Sequence, residues 1–251
     1  GLLVARSPHS TGTLRPLPLT SQRYALSWAH DNKICAAMTD RFSRRAVSRK
    51  GSSTQMTVLT PKIKQRLAQF HKEPAGFEPQ AGRAAVAIML RECGDTTEML
   101  MIRRAVREGD PWSGHMGFPG GRRDPGDESN LRCALRETEE ELGVDLLQCG
   151  TQLGELTDVN TGWRADRPEM LVTPFVFQVN EVPIMTPNYE VAEVVWVPLD
   201  FLMQPDKREP MKWEWKGKTL ETDSFLYASY RIWGLSLMMI DEMLILMREG
   251  A

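Results

Sequence analysis

Apolar residues along this chain gather in short, nearly unbroken runs rather than in long amphipathic repeats. Arg83–Leu90 (RAAVAIML) is apolar at almost every position and reads as a strand. Met99–Ile102, inside TEMLMIRRA, has the same character, and RECGDTTE between the two runs contains a Gly-Asp turn. TPFVFQV (Thr173–Val179) and VAEVVWVPL (Val191–Leu199) also read as strands, and WEWKGKTLET with FLYASY reads as a strand pair. Elsewhere the apolar spacing lengthens to three and four, which predicts helices. A short lead helix covers PKIKQRLAQFH (Pro61–His71), with Pro at its start and Ile63, Leu67 and Phe70 on one side. A second runs from about Glu128 to Leu142, with Ser129 or Asp127 as N-cap and Gly143 as its stop. An apolar C-terminal helix covers Trp233–Arg248. Strands and helices interleave, so a mixed α/β layer architecture is expected.

The second helix carries an oddity. Within RETEEELGV, Glu137, Glu139, Glu140 and Glu141 occupy four of five consecutive positions. At about 100° per residue, Glu137, Glu140 and Glu141 share a narrow arc while Glu139 points the other way. Like charges at these separations cost about 0.2–0.5 kcal/mol per pair. Convergent, uncompensated carboxylates suit a hard divalent cation such as Mg²⁺ or Mn²⁺. A solvated acidic face is the alternative reading of a charge run taken alone. The apolar positions Leu131, Ala134, Leu135 and Leu142 lie away from that arc, so one face packs and the other meets a ligand.

Charge and composition narrow the setting. The chain has 251 residues, 41% hydrophobic and 25% charged, with a formal net charge of −2. Residues 1–55 hold nine Lys or Arg against only Asp31 and Asp40, lack periodic patterning, and read as a disordered extension. Their composition is transit-peptide-like, which implies a mitochondrial or plastid address; if the segment is non-native, the protein is cytoplasmic. Residues 56–80 read as the lead helix and a linker, and 81–251 as one catalytic domain. Outside the extension there is no basic patch with interleaved aromatics, so nucleic acid is not an expected partner. No apolar run reaches the ~20 residues needed to cross a bilayer, so no membrane is expected. Cys35, Cys93, Cys133 and Cys149 show no paired spacing and are expected as free thiols. Oligomeric state is left open, a homodimer included.

The segment GGRRDPGDESNLRCALRETEEELGV (Gly120–Val144) resembles the signature of the Nudix hydrolases, Gly-x5-Glu-x7-Arg-Glu-U-x-Glu-Glu-x-Gly-U, where U is aliphatic. Glu128, Arg136, Glu137, Glu140, Glu141, Gly143 and Val144 match at the required separations. Six residues rather than five separate Gly121 from Glu128, and Thr138 replaces an aliphatic residue. The resemblance implies a Nudix fold, an α/β/α sandwich with a mixed sheet. It implies Mg²⁺ or Mn²⁺ held by Glu137, Glu140 and Glu141, with a carbonyl of Gly121 or Arg122. It also implies an ion pair between Arg136 and Glu128 that holds the preceding loop. Arg136 and Glu137 are thus expected in the catalytic machinery. The general base is Glu137 itself or an acid on a later loop, where Glu190 is preferred over Glu193.

Upstream, the arginine-ended strand, FPGG, Asp124, Asp127, Ser129 and ALRET resemble the coenzyme A diphosphatase branch of that family. There the paired glycines also fall one place earlier. Where that branch commonly carries His-x-Gly-Gln before FPGG, this chain has Trp112-Ser113-Gly114-His115. The resemblance implies cleavage of coenzyme A or its acyl derivatives to 3′,5′-ADP and (acyl-)phosphopantetheine. Arg103, Arg104, His115, Gly120 and Gly121 are the expected substrate-binding residues, with Arg107 another candidate for the 3′-phosphate and Trp112 for stacking the adenine. Phe118 is expected in the core. The alternatives are another nucleoside diphosphate substrate, such as ADP-ribose or a dinucleotide, and a non-catalytic nucleotide-binding module.

Overall fold

A computed structural model of the chain describes residues 59–72, 82–110, 112–161, 169–215 and 218–248. The extension read over 1–55 and most of the linker before residue 81 lie outside the described residues. A helix, α1 (Thr60–Leu67), precedes strands β1 (Gly82–Cys93) and β2 (Thr96–Arg104). Two short strands follow, β3 (Met116–Gly117) and β4 (Gly120–Arg122), then helix α2 (Asn130–Leu142) and a single turn α3 (Leu146–Cys149). Strands β5 (Gly150–Glu155), β6 (Val159–Asn160), β7 (Met170–Val179) and β8 (Val191–Pro198) complete the main sheet. After the turn α4 (Leu199–Leu202) come β9 (Arg208–Trp215), β10 (Lys218–Tyr227), β11 (Tyr230–Trp233) and the closing helix α5 (Gly234–Arg248).

Strand β1 sits at the centre because both of its faces are apolar. It pairs antiparallel with β2 (Leu90 opposite Met99) and parallel with β7 (Ala84 opposite Val172), which makes the sheet mixed. β2 extends the sheet through β3 and β8, β7 through β5 and β6, and β4 pairs with the start of β1. Alternation then sorts the side chains between two cores. Ala84, Ile88 and Leu90 pack beneath α1 and α5 with Ile63, Ile240 and Leu244. Ala85, Ala87 and Met89 pack against α2 with Cys133, Ala134 and Leu142. The result is the expected α/β/α sandwich. Phe118 is buried in the first of these cores, and Thr138 is buried under α2 with its hydroxyl donating to the Ala134 carbonyl at 2.7 Å.

The two ends of α2 show how sequence places it. Ser129 is the N-cap, its hydroxyl accepting from the Arg132 amide, and Gly143 closes the helix at φ 69° with its amide donating to the Glu139 carbonyl. The next free carbonyls, of Glu141 and Leu142, accept from the amides of Asn188 and Thr186. That contact pins the loop before β8 against the end of the acidic helix. Three differences from the sequence reading stand out. WEWKGKTLET contains parts of both strands of a hairpin, β9 and β10, and FLYASY continues β10 through a turn into β11, so the segment is a three-stranded antiparallel meander. β3 to β6 escaped detection because each is short and buries few side chains. Cys133 and Cys149 are free, whereas Cys93 is disulfide-bonded rather than a free thiol.

Gly120 is the tightest point of this framework. It has φ +150°, and a Cβ there would lie 2.3 Å from the Ala85 carbonyl oxygen, inside the β1–β4 ladder where only rigid backbone is available to move. Gly120→Ala should therefore destabilise the protein by roughly 3 kcal/mol or more, read as a fall in the denaturant midpoint.

Candidate active site

The acidic arc of α2 lies over β4, and each glutamate meets a different environment. Glu141 is buried, 3% exposed, and its Oε2 accepts from the Gly120 amide at 2.9 Å. Among the described residues no Lys or Arg forms an ion pair with it. Burial pushes its carboxyl up to about 7, and the charges of Glu137 and Glu190 add to the push while Gly120 and Arg104 oppose it. Glu137 is also raised, chiefly by burial. Its carboxylate rests on Gly121, where a Cβ would come within 2.5 Å of the carboxyl carbon. Glu140 is the exposed member.

Arg136 organises the charges around them. Its Nε and Nη2 clasp both oxygens of Asp127 at 3.0 and 2.9 Å, and its Nη1 reaches Glu137 at 2.9 Å and Glu140 at 3.2 Å. A further bond at 3.2 Å goes to the Arg122 carbonyl. The expected partner Glu128 is exposed, so the ion pair assigned to it belongs to Asp127. The Arg136 guanidinium holds the Asp127 carboxyl down at about 2. This resolves the irregular spacing: Gly121 and Asp127 are separated by the five residues of the signature, and the extra residue lies after the acid. The loop is held by a bidentate, charge-assisted clasp, the strongest geometry available to arginine.

The backbone assignment changes as well. Ala87 donates to the Pro119 carbonyl and Arg123 to the Arg83 carbonyl, so ladder alternation turns Gly121 toward β1. Its carbonyl also accepts from Cys133 Sγ at 3.5 Å. Both glycines meet the acidic cluster, Gly120 through its amide on Glu141 and Gly121 through its Cα under the Glu137 carboxylate, while the Gly121 peptide groups are engaged with β1. Among the described residues no three His, Cys, Asp or Glu side chains are already gathered as a metal cluster. The reason is local: Arg136 draws Glu137 and Glu140 together while Glu141 turns to the Gly120 amide. The donor chemistry nonetheless fits a hard cation, with three carboxylates on one arc and one of them buried without a basic partner among the described residues.

The other expected residues divide into two groups. Glu190 sits in the pinned loop beside β8, its carbonyl accepting from the Ala105 amide at 2.7 Å and its side chain paired with Arg107 at 3.2 Å. The same loop donates from the Asn188 amide to the Glu141 carbonyl at 2.8 Å, which brings Glu190 to the end of the acidic helix. Glu193, three residues later, lies elsewhere. It pairs with Arg103 and accepts from the Tyr230 hydroxyl at 2.5 Å, in the wall of a cavity of about 380 Å³ that also includes His115, Trp213, Arg231 and Trp233. Arg104 is paired with Asp110 at 3.0 Å, and its amide donates to the His115 carbonyl. Burial lowers the pKa of His115. The sequence reading missed Asp127 as the Arg136 partner and the meander side chains Tyr230, Trp213 and Trp233. Two tryptophans in the otherwise polar WEWKGK were the available signal.

Arg136→Ala would leave Asp127 buried without its cation and should cost about 3 kcal/mol. The Asp127 pKa is depressed from 3.8, so the clasp stabilises fully above about that pH and is lost as pH falls through about 2. The acid limb of the wild-type stability profile should flatten in the variant. Glu141 behaves oppositely. Its raised pKa means that stability falls as pH rises from about 4.5 to about 7 and stays low above. In chelator at pH 8, Glu141→Gln should be about 1–3 kcal/mol more stable than wild type, and the gap should close at pH 4.5.

Residues 81–219 match the NUDIX domain, more than half of the chain. The chain is 37% identical over 112 residues to an uncharacterized protein of Schizosaccharomyces pombe, covering 43% of this chain and 34% of that protein. It is 29% identical over 184 residues to Nudix hydrolase 15, mitochondrial, of Arabidopsis thaliana, covering 69% of this chain and 61% of the relative. It is 28% identical over 197 residues to a mitochondrial coenzyme A diphosphatase of Mus musculus, covering 76% of this chain and 91% of the relative. The chain thus spans about a third and about three fifths of the first two relatives and nearly all of the third. With an acidic helix over paired glycines, a mixed sheet between helical layers and this domain match, the chain belongs to the Nudix hydrolase family.

Proposed function

We propose that the protein is a diphosphatase that hydrolyses coenzyme A or acyl-coenzyme A to 3′,5′-ADP and (acyl-)phosphopantetheine, using Mg²⁺ or Mn²⁺. The observation that carries the chemistry is the set of three carboxylates on one arc of α2, one of them buried with no basic partner among the described residues. The substrate is supported by the FPGG-to-ALRET motif and by the name of the mouse relative, which this chain covers almost end to end. The mitochondrial names of two relatives support a mitochondrial site of action. No described helix is long and apolar enough to cross a membrane.

Glu137, Glu140 and Glu141 would hold the ion, with Gly120 beside them; bound there, a divalent cation neutralises diphosphate charge and acidifies water. This chain's own residues supply the rest. Arg136 keeps the Gly120–Asp127 loop against the helix, and its guanidinium balances Glu137 and Glu140 before they take a cation. Glu190, on a loop pinned to the end of α2, is the proposed acceptor of the proton released by the attacking water. Arg104 offers positive charge on the side of Glu141 where the phosphates would enter. The Trp112-Ser113-Gly114-His115 segment, which departs from the coenzyme A branch, favours a second reading: the same chemistry on another nucleoside diphosphate derivative.

A substrate panel of coenzyme A, acetyl-coenzyme A, ADP-ribose and dinucleotides, ranked by kcat/KM in Mg²⁺ and in Mn²⁺, tests the assignment. Coenzyme A or its thioester should rank first and yield both products. Glu140 is exposed, so Glu140→Gln should fold normally yet lower kcat by at least about a hundredfold. Turnover that survives this change, or survives chelation, would remove the proposed cation site. Ligand binding with no product in either metal would identify a non-catalytic module.

A further inference from the structure

We propose that the open face of Tyr189 is the platform on which the substrate's nucleobase stacks, with Arg107 as its backing. The inference rests on the diphosphatase reading and deepens it, because it assigns the nucleoside half of that substrate to one end of the acidic helix. Tyr189 precedes Glu190 in the loop before β8. It is 80% exposed, although the Arg107 guanidinium lies over its ring, 4.8 Å from the centroid. One face is thus covered by a cation and the other is open to a ligand.

An exposed side chain usually sits on loosely held backbone, and this one does not. On one side of Tyr189 the Asn188 amide donates to the Glu141 carbonyl at 2.8 Å, and the Asn188 side-chain oxygen accepts from the Glu190 amide at 2.7 Å. On the other side the Glu190 carbonyl accepts from the Ala105 amide at 2.7 Å. The ring therefore stands between a tie to the acidic helix and a tie to the segment after β2. Arg107 is fixed as well: its amide donates to the Ser113 hydroxyl oxygen at 2.9 Å, and that hydroxyl donates to the Arg107 carbonyl at 2.8 Å. An aromatic ring on pinned backbone, supported from behind, stacks a flat ligand with little ordering cost.

The surroundings select the class of ligand and its place. An open aromatic face offers area but no hydrogen-bond pattern, so it accepts any flat base and favours the larger purines. Val106, beside Arg107 in the chain, is likewise 80% exposed and adds apolar surface where the two loops meet. An acyl chain would gain little from a single flat face, since it needs a concave site that removes both of its sides from water. The guanidinium that backs Tyr189 also pairs with Glu190 at 3.2 Å, so ring and carboxylate share one support. Consecutive Cα atoms are about 3.8 Å apart, and the amide next to Tyr189 rests on the last turn of α2. A base on the ring would thereby leave its ribose and phosphates at the end of the acidic arc, beside the proposed proton acceptor.

The test measures stacking rather than turnover. The full chain in Mg²⁺ is titrated with adenosine 5′-(α,β-methylene)diphosphate, whose phosphorus atoms are joined by carbon and cannot be hydrolysed apart, with its uridine counterpart and with methylenediphosphonate, by calorimetry and by proton NMR of the ligand. The adenosine compound should bind about tenfold more tightly than methylenediphosphonate, with the uridine compound between them, and adenine H2 and H8 should move upfield under the tyrosine ring current. Tyr189→Ala should abolish the upfield shift and weaken the adenosine compound about tenfold while methylenediphosphonate binds as before. Tyr189→Phe should restore both effects and Tyr189→Leu neither. Tyr189 is exposed, so thermal unfolding should stay near wild type in all three variants. An upfield shift or an affinity that survives Tyr189→Ala, or no binding of the adenosine compound to the wild type, would overturn the proposal. A dimer that Tyr189→Ala splits into monomers with nucleotide affinity unchanged would overturn it too and assign the ring to contact between copies. A protein that stacks adenine in this way but never cleaves coenzyme A would retain the platform and lose only the assigned reaction. Cleavage of coenzyme A with a KM indifferent to Tyr189→Ala would do the reverse.

Discussion

Helix α2 can lie directly over β4 only because residues 120 and 121 have no side chains. At Gly120 the neighbouring backbone of β1 occupies the space a Cβ would need, and at Gly121 the Glu137 carboxylate does. This close approach brings a strand amide within hydrogen-bonding distance of Glu141 and buries that carboxylate. The electrostatics of the site follow from it. A carboxylate removed from water and given one neutral donor is held in an unfavourable state, and its proton affinity rises accordingly. The fold tolerates that cost because the core shared by Ala85, Ala87 and Met89 of β1 with Cys133, Ala134 and Leu142 holds the helix in place.

Around this strained centre the remaining charges are balanced by a single arginine. Arg136 clasps the loop through Asp127 and shares its third nitrogen between Glu137 and Glu140. Structure and electrostatics are thereby coupled: the group that orders the loop also keeps two of the three glutamates close together. The Asp127 contact is buried and bidentate, so it is the durable half of the arrangement. The Glu140 contact is exposed and contributes little, so it is the half a cation could replace at small cost.

The cavity beside the meander has a different origin. The meander β9–β11 joins the core through Phe225 and Ile232, but its other face turns tryptophans toward the end of β2. None of these indoles is adjacent to the acidic signature in sequence.

Sequence alone determined the features that depend on local rules. The unbroken run at Arg83–Leu90 marked a strand, a cap at Ser129 or Asp127 and a stop at Gly143 marked α2, and the glutamate spacing marked the arc. The signature from Gly120 to Val144 carried the family with it. Each of these is encoded within a turn of helix or a few residues of strand. Tertiary structure decided what depends on partners distant in the chain or on register. It gave Arg136 to Asp127 rather than Glu128, aimed the Gly120 amide at Glu141 and the Gly121 peptide groups at β1, separated Glu190 from Glu193, and folded the Trp213 hairpin over the His115 loop. The physical reason is common to all four: a one-residue shift in a strand or loop reverses which way a group points, and only packing against the neighbouring element selects the direction.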